Sequence, residues 1–222
     1  MTERLNAFVA PSLPLAHVEY EQTLEEQYRK IERLYYRQIS NTVNALIGSQ
    51  GGRHLEMPHG NFYDTTTQSD GANTPNAVKF NGTKSNETAG IYIENNGSGD
   101  PTQVTVEYQG SYNFQFSMQL ENTDNAVHSV GIWVRINGVD VNNTCTEITV
   151  PARKSALIYG YAVAAWNFLD VVQAGDYWEL MWATNSTFVT LPYIPAWVTP
   201  AQPYNRPATP SALLTVNYVS VI

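Results

Sequence analysis

The sequence predicts a mainly β protein, an antiparallel jelly-roll sandwich, preceded by an extended arm and one long N-terminal α-helix. Three observations predict it. From Gly110 to Leu120 the text reads GSYNFQFSMQL, with Tyr112, Phe114, Phe116, Met118 and Leu120 at every second position. A period of two places these large apolar groups on one face of a strand and Asn113, Gln115, Ser117 and Gln119 on the other. After residue 60, short runs of this kind recur between turn signals, and helical periodicity is gone. Before it, one long stretch carries apolar residues at helical spacing instead. Each strand side chain stabilises by roughly 1.5–3 kcal/mol when buried, so the apolar face of 110–120 needs a second layer.

The arm, residues 1–20, contains Pro11 and Pro14 within FVAPSLPLAHVEY. Each proline pushes the residue before it toward extended backbone, so no helix forms there. Phe8, Val9, Leu13 and Leu15 are too apolar for a free tail. They either insert into a partner or pack on the protein's own domain, and insertion is the favoured reading because no local strand partner is in view.

Residues 21–47 are helical. Leu24, Tyr28, Ile31, Tyr35, Ile39, Val43 and Leu46 step by 4, 3, 4, 4, 4 and 3 among Glu, Gln, Arg and Lys. Such a stripe repeats about every 3.7 residues, a period at which helix pairs run nearly straight. Gly48 supplies the stop. The helix should be about 40 Å long and marginal if left alone in water. Its stripe therefore calls for self-association or a partner surface. Residues 48–60, GSQGGRHLEMPHG, read as a linker. His54 and His59 within it lack the spacing and further ligands of a metal site.

The β domain spans 61–222. Candidate strands are 61–68, 77–80, 90–94, 103–108, 111–120, 130–136, 147–150, 156–163, 177–183, 187–191 and 212–221. Asn137-Gly138 after IWVRI is a hairpin signal. Residues 95–101 and 122–125 are loops. Six prolines from 192 to 210 make that stretch a long excursion rather than sheet. On 177–183, Tyr177 points one way while Trp178 and Trp182 point the other. Apolar groups on both faces imply a second buried surface, either an interface between subunits or a covering by the 192–210 excursion. Tyr112, Phe114, Phe116, Tyr177, Trp178 and Trp182 are thus candidates for the core or for an interface between subunits, which the resemblances given below would make a trimer interface.

Composition excludes several functions. Charged residues make up 14% of the 222 and the formal charge is −8. No basic stripe can displace counterions from a phosphate backbone, so neither nucleic acid nor anionic membrane is an expected partner. No apolar run approaches a membrane span, and no leader-like pattern opens the chain, so export is not expected. Tyr and Trp are abundant, at 14 and 5 residues, which suits a β protein with interfaces. Cys145 is the single cysteine, which rules out an intrachain disulfide. It is expected to pack as a small apolar group rather than act as a thiolate. Glycosylation-like triplets at Asn81, Asn86, Asn96, Asn142 and Asn185 reflect an Asn/Thr-rich composition.

No P-loop, GxSxG elbow or HExxH occurs. Glu94, Asp100, Glu121, Asp124, Asp140 and Asp176 are scattered near turns, where any β protein offers chance carboxylate pairs. No enzymatic activity, cofactor or metal is expected. The oxygen-rich loops 95–100 and 122–125 could suit calcium, but turn chemistry explains the same residues. Tyr193, Trp197 and Tyr204 either form a stacking surface for a glycan or pack on a neighbouring subunit.

Two resemblances add to this. Gly110-Ser111-Tyr112-Asn113-Phe114 is similar to the G-x-Y-x-F signature of complement globular-head and tumour-necrosis-factor-like jelly rolls. Ala174-Gly175-Asp176-Tyr177-Trp178-Glu179-Leu180 resembles that family's late turn and strand, and Leu214-Thr215-Val216-Asn217-Tyr218-Val219-Ser220 its closing strand. Six residues before Gly110, where the family usually carries Phe, stands Val104. The front half, an arm, then YRKIERLYYRQISNTVNALI, then NFYDTTTQ, resembles virion proteins of tailed bacteriophages. That resemblance implies a non-enzymatic homotrimer, assembled in the host cytoplasm and resident in the virion. Residues 1–47 would attach it to capsid or tail proteins, and the β knob would project as capsid decoration or head fibre. The alternatives are a tail-fibre adhesin for host surface glycan and, further off, a polysaccharide-degrading enzyme.

Overall fold

The computed structural model describes residues 22–47, 57–196 and 205–220. The chain forms two compact units, one carrying the helix and the other, from Pro58 onward, the β body. The arm residues Phe8, Val9, Leu13 and Leu15, together with Trp197 and Tyr204, lie outside the described residues.

Helix α1 runs Gln22–Ile47, one residue from the expected start. Tyr28, Ile31, Tyr35 and Leu46 are between 61% and 66% exposed, while Ile39 and Val43 are half-buried. The side chain of Leu24 is outside the described set. An i,i+4 pair, Glu25 with Arg29 at 2.7 Å, adds only a few tenths of a kcal/mol, roughly, to the helix.

The β body begins with β1 (His59–Asp64), β2 (Gln68–Ser69), β3 (Asn76–Ala77), β4 (Gly82–Ala89) and β5 (Ile91–Asn95). Next come β6 (Pro101–Val106), β7 (Gly110–Asn122), β8 (His128–Ile136), β9 (Val139–Asp140) and β10 (Thr146–Val150). β11 (Gly160–Val172), β12 (Tyr177–Thr184), β13 (Val189–Leu191) and β14 (Ala212–Ser220) complete it. One sheet has the order β2-β13-β7-β14-β1-β4, with β11 paired to β7. The other has the order β10-β8-β12-β6-β5, with β3 paired to β12 and β9 to β8. Among the described residues, the strand pairs whose register is defined are antiparallel. This is a two-sheet sandwich of jelly-roll type.

β7 is the organising strand, with its even-numbered positions from Gly110 to Asn122 all buried. Its aromatics meet the second sheet, whose inner face carries Val130, Ile132, Val134, Trp178, Leu180 and Trp182, each no more than 2% exposed. Tyr112 is wholly buried and donates its hydroxyl to the Tyr108 carbonyl at 2.6 Å. Burial pushes its phenol far above the ordinary range.

The Asn137-Gly138 turn forms as expected, with φ of 50° and 79°, the left-handed pair that a tight hairpin needs. Asn137 also ties the hairpin to the next strand, since Tyr177 N–H donates to its Oδ1 at 3.0 Å. In the loop after β5, Asn96 Oδ1 accepts from Ser98 N–H at 2.9 Å and Asp100 N–H at 3.0 Å. Asn122 is fully buried, its Nδ2 donating to the Ala126 and Pro151 carbonyls. Turn chemistry occupies both candidate calcium loops.

Several expectations need correction. β4, GTKSNETA, was not anticipated because it offers no large apolar side chain to mark a face. The expected 156–163 strand instead starts at Gly160 and continues to Val172. Expected 61–68 breaks into β1 and β2, with Thr66 turned on Asp64 by two bonds of 2.6 Å. Cys145 is exposed rather than packed, because it sits in the turn before β10 rather than on a buried face. Within the proline-rich excursion, Ile194 and Thr209 form a two-way backbone bridge of 3.0 and 2.8 Å that clips its ends together.

Candidate functional site

Two features of the β body stand out chemically: the strand β11 and a polar cavity. β11 pairs with β7 along its whole length, from Gly160 opposite Asn122 to Val172 opposite Gly110. Among the described residues it has no second strand partner. Along its thirteen residues the outer edge has no ladder among the described residues. Natural edges are usually short or guarded by Lys, Pro or bulges. The β11 sequence, GYAVAAWNFLDVV, contains neither Lys nor Pro.

Its inward face extends the core. Trp166 packs edge-on against Phe116 with ring centroids 4.7 Å apart, and Phe168 lies 6.0 Å from Phe116 and 6.3 Å from Trp178. Both rings are half-buried. The buried Trp166 Nε1 has no hydrogen-bond partner. Asp170, the only charge on the strand, accepts from Trp178 Nε1 at 3.1 Å, and burial raises its pKa. The outward face is apolar and open: Tyr161, Val163, Leu169 and Val171 are 53%, 58%, 63% and 54% exposed. Beneath it β7 offers only Ser111, Asn113, Gln115, Ser117, Gln119 and Glu121 as cross-strand neighbours. Tyr161 stands opposite Glu121, and partial burial followed by that carboxylate pushes its phenol up to about 12.

The cavity, of about 380 Å³, lies between β2 of the first sheet and β3, β6 and β12 of the second. Thr66, Thr67, Asp70, Lys79, Asn96 and Asp100 are among its lining groups, and Trp182 contributes an indole.

The anticipated aromatics divide accordingly. Tyr112, Phe114, Phe116, Trp178 and Trp182 lie in the interior of one chain, and Tyr177 is half-buried on the opposite face of β12. The apolar surplus sits on β11 rather than on β12, whose two tryptophans face the first sheet. Tyr193 is half-buried, with its backbone N–H on Thr67 Oγ1 at 3.1 Å, beside the cavity wall. The β11 signal was present in the sequence as an apolar run without alternation. The cavity had no local signal, because its walls come from segments far apart in the chain.

No known protein family and no curated protein matches the sequence. Among solved structures, Eiger TNF from S. frugiperda aligns with 75% of this chain and 94% of its own, at 10% identity and a TM-score of 0.45.

Proposed function

We propose that this chain is a non-enzymatic structural protein of a tailed-bacteriophage particle. Three copies associate, the N-terminal segment holds them to capsid or tail, and the β body projects as a knob. Capsid decoration or head fibre is the role this reading gives it. The observation that carries the assembly part is β11, a long edge without Lys or Pro and without a second partner among the described residues, whose outer face exposes Tyr161, Val163, Leu169 and Val171. A lone soluble protein usually blunts such an edge, and one that leaves it bare needs a neighbour to cover it. The apolar stripe of α1, with Tyr28, Ile31, Tyr35 and Leu46 exposed, supports the attachment part. The phage setting rests on the resemblance of residues 1–68 to virion proteins.

Sedimentation of the full-length protein in dilute solution tests the assembly. A particle of three times the 24.8 kDa chain is expected, and a stable single chain would refute the reading. Localisation on intact particles by cryo-microscopy tests the setting.

A further inference from the structure

We propose that the cavity between β2 and the β3/β6/β12 side of the sandwich binds a neutral saccharide. Its volume, about 380 Å³, falls in the range of small-molecule sites. The lining is built rather than incidental. Gln68, only 7% exposed, fixes one wall: its Oε1 accepts from Lys79 N–H at 2.9 Å, and its Nε2 donates to the Lys79 carbonyl at 3.1 Å and Ser211 Oγ at 3.3 Å. Asn96 fixes another by capping the turn that presents Asp100. Lys79 Nζ holds Asp100 Oδ1 at 2.7 Å. Such preformed polar groups lose little freedom when a ligand arrives.

The chemistry on offer is that of a polyol site. Asp70 and Asp100 each use Oδ1 within the protein, on Gly71 N–H and Lys79 respectively, and present Oδ2 as an acceptor for hydroxyl groups. Ser69 adds a hydroxyl that can donate or accept, Thr67 Oγ1 already accepts from Tyr193 N–H and keeps its hydrogen to donate, and Thr66 Oγ1 already donates to Asp64 Oδ1 and keeps lone-pair capacity to accept. Trp182, 2% exposed, donates its indole N–H to no described residue while lining the cavity. A ring or hydroxyl oxygen satisfies that donor. Two carboxylates against one lysine give the lining a negative balance, which opposes phosphate, sulfate or carboxylated sugars. Among the described residues no three His, Cys, Asp or Glu side chains form a cluster. A neutral, hydroxyl-rich ligand is what this lining fits. This assignment does not depend on the number of subunits.

The test is a glycan array carrying neutral and acidic oligosaccharides, probed with the full-length protein, followed by calorimetry with the best neutral glycan. The variants Asp70→Asn and Asp100→Asn each remove a charged acceptor, and binding should weaken roughly tenfold or more with thermal melting unchanged. Trp182→Phe should weaken it also, with circular dichroism checking the fold. Absence of any neutral glycan signal would overturn the proposal. So would a preference for acidic glycans, or full binding in both aspartate variants. Tyr193→Ala should leave affinity intact, and loss there alone would move recognition to the proline-rich excursion and overturn the assignment. Sedimentation of the same samples reads the assembly separately.

Discussion

Phe114 of β7 and Trp178 of β12 lie face to face across the two sheets, with ring centroids 4.5 Å apart and planes 7° from parallel. Both are fully buried, and Trp178 spends its N–H on Asp170 of the edge strand. One stacked pair therefore joins the organising strand, the opposing sheet and the exposed margin.

Phe114→Ala should cost about 3–5 kcal/mol, because the site is closed on all sides and cannot collapse into the void. Urea unfolding measures this. Phe114→Leu should retain much of that loss. A change below roughly 1 kcal/mol for the alanine variant would mean the stack is not part of the core.

Leu169→Lys and Val171→Lys place a charge on the outer face of β11 without touching the interior. Both should leave circular dichroism unchanged and shift sedimentation toward the single chain. Val139→Lys serves as control, since Val139 is 69% exposed on β9, in the other sheet. Equal behaviour of all three would disconnect β11 from assembly.

The pH dependence has two opposed parts. Burial raises the pKa of Asp170, so its contribution is fully present below the ordinary carboxylate range and is lost as pH rises through the raised value. Asp170→Asn keeps an acceptor for Trp178 and should gain stability over the natural protein at neutral pH but not in acid. Asp140, lowered by its bonds from Arg135 and Trp133, behaves in the opposite sense. So does Asp124, lowered by His128 and by the Asn125 N–H. Their contributions hold above the ordinary carboxylate range and fade as pH falls through the lowered values. Denaturant melts across pH, with Asp140→Asn compared with Asp170→Asn, should show slopes of opposite sign.

Gly160 opens β11 where the chain turns back past Pro151. A Cβ there would lie 1.8 Å from the Pro151 carbonyl oxygen, a contact only backbone movement relieves. Gly160→Ala should destabilise by roughly 1–3 kcal/mol, read by thermal melting. The exposed Gly97, whose Cβ would meet nothing, should tolerate alanine.

The parts that were legible in the sequence are those in which one face of an element is buried and the other wet. β7, with Tyr112 to Leu120 against Asn113 to Gln119, is such a case, and so is the stripe of α1. The Asn137-Gly138 turn was legible because few residue pairs adopt its backbone angles. β11 was misjudged beyond Val163 because Ala164, Trp166 and Phe168 face inward while Ala165, Leu169 and Val171 face outward, which erases alternation. β4 escaped because edge strands of small polar residues look like loops. The cavity brings Thr67, Asp100 and Trp182 together only through sheet pairing, and no local pattern encodes that.

A strand margin that no described residue pairs also constrains how many copies can gather. If β11 met its own counterpart in a second copy, both margins would be occupied and the series would end at two. If it lies instead on a different part of its neighbour, every copy gives one surface and receives another, and the turn between successive copies alone sets the count. A turn of one third of a circle closes the ring at three. Any turn that fails to close produces a growing filament, so the tilt of this single strand separates a discrete knob from a fibre.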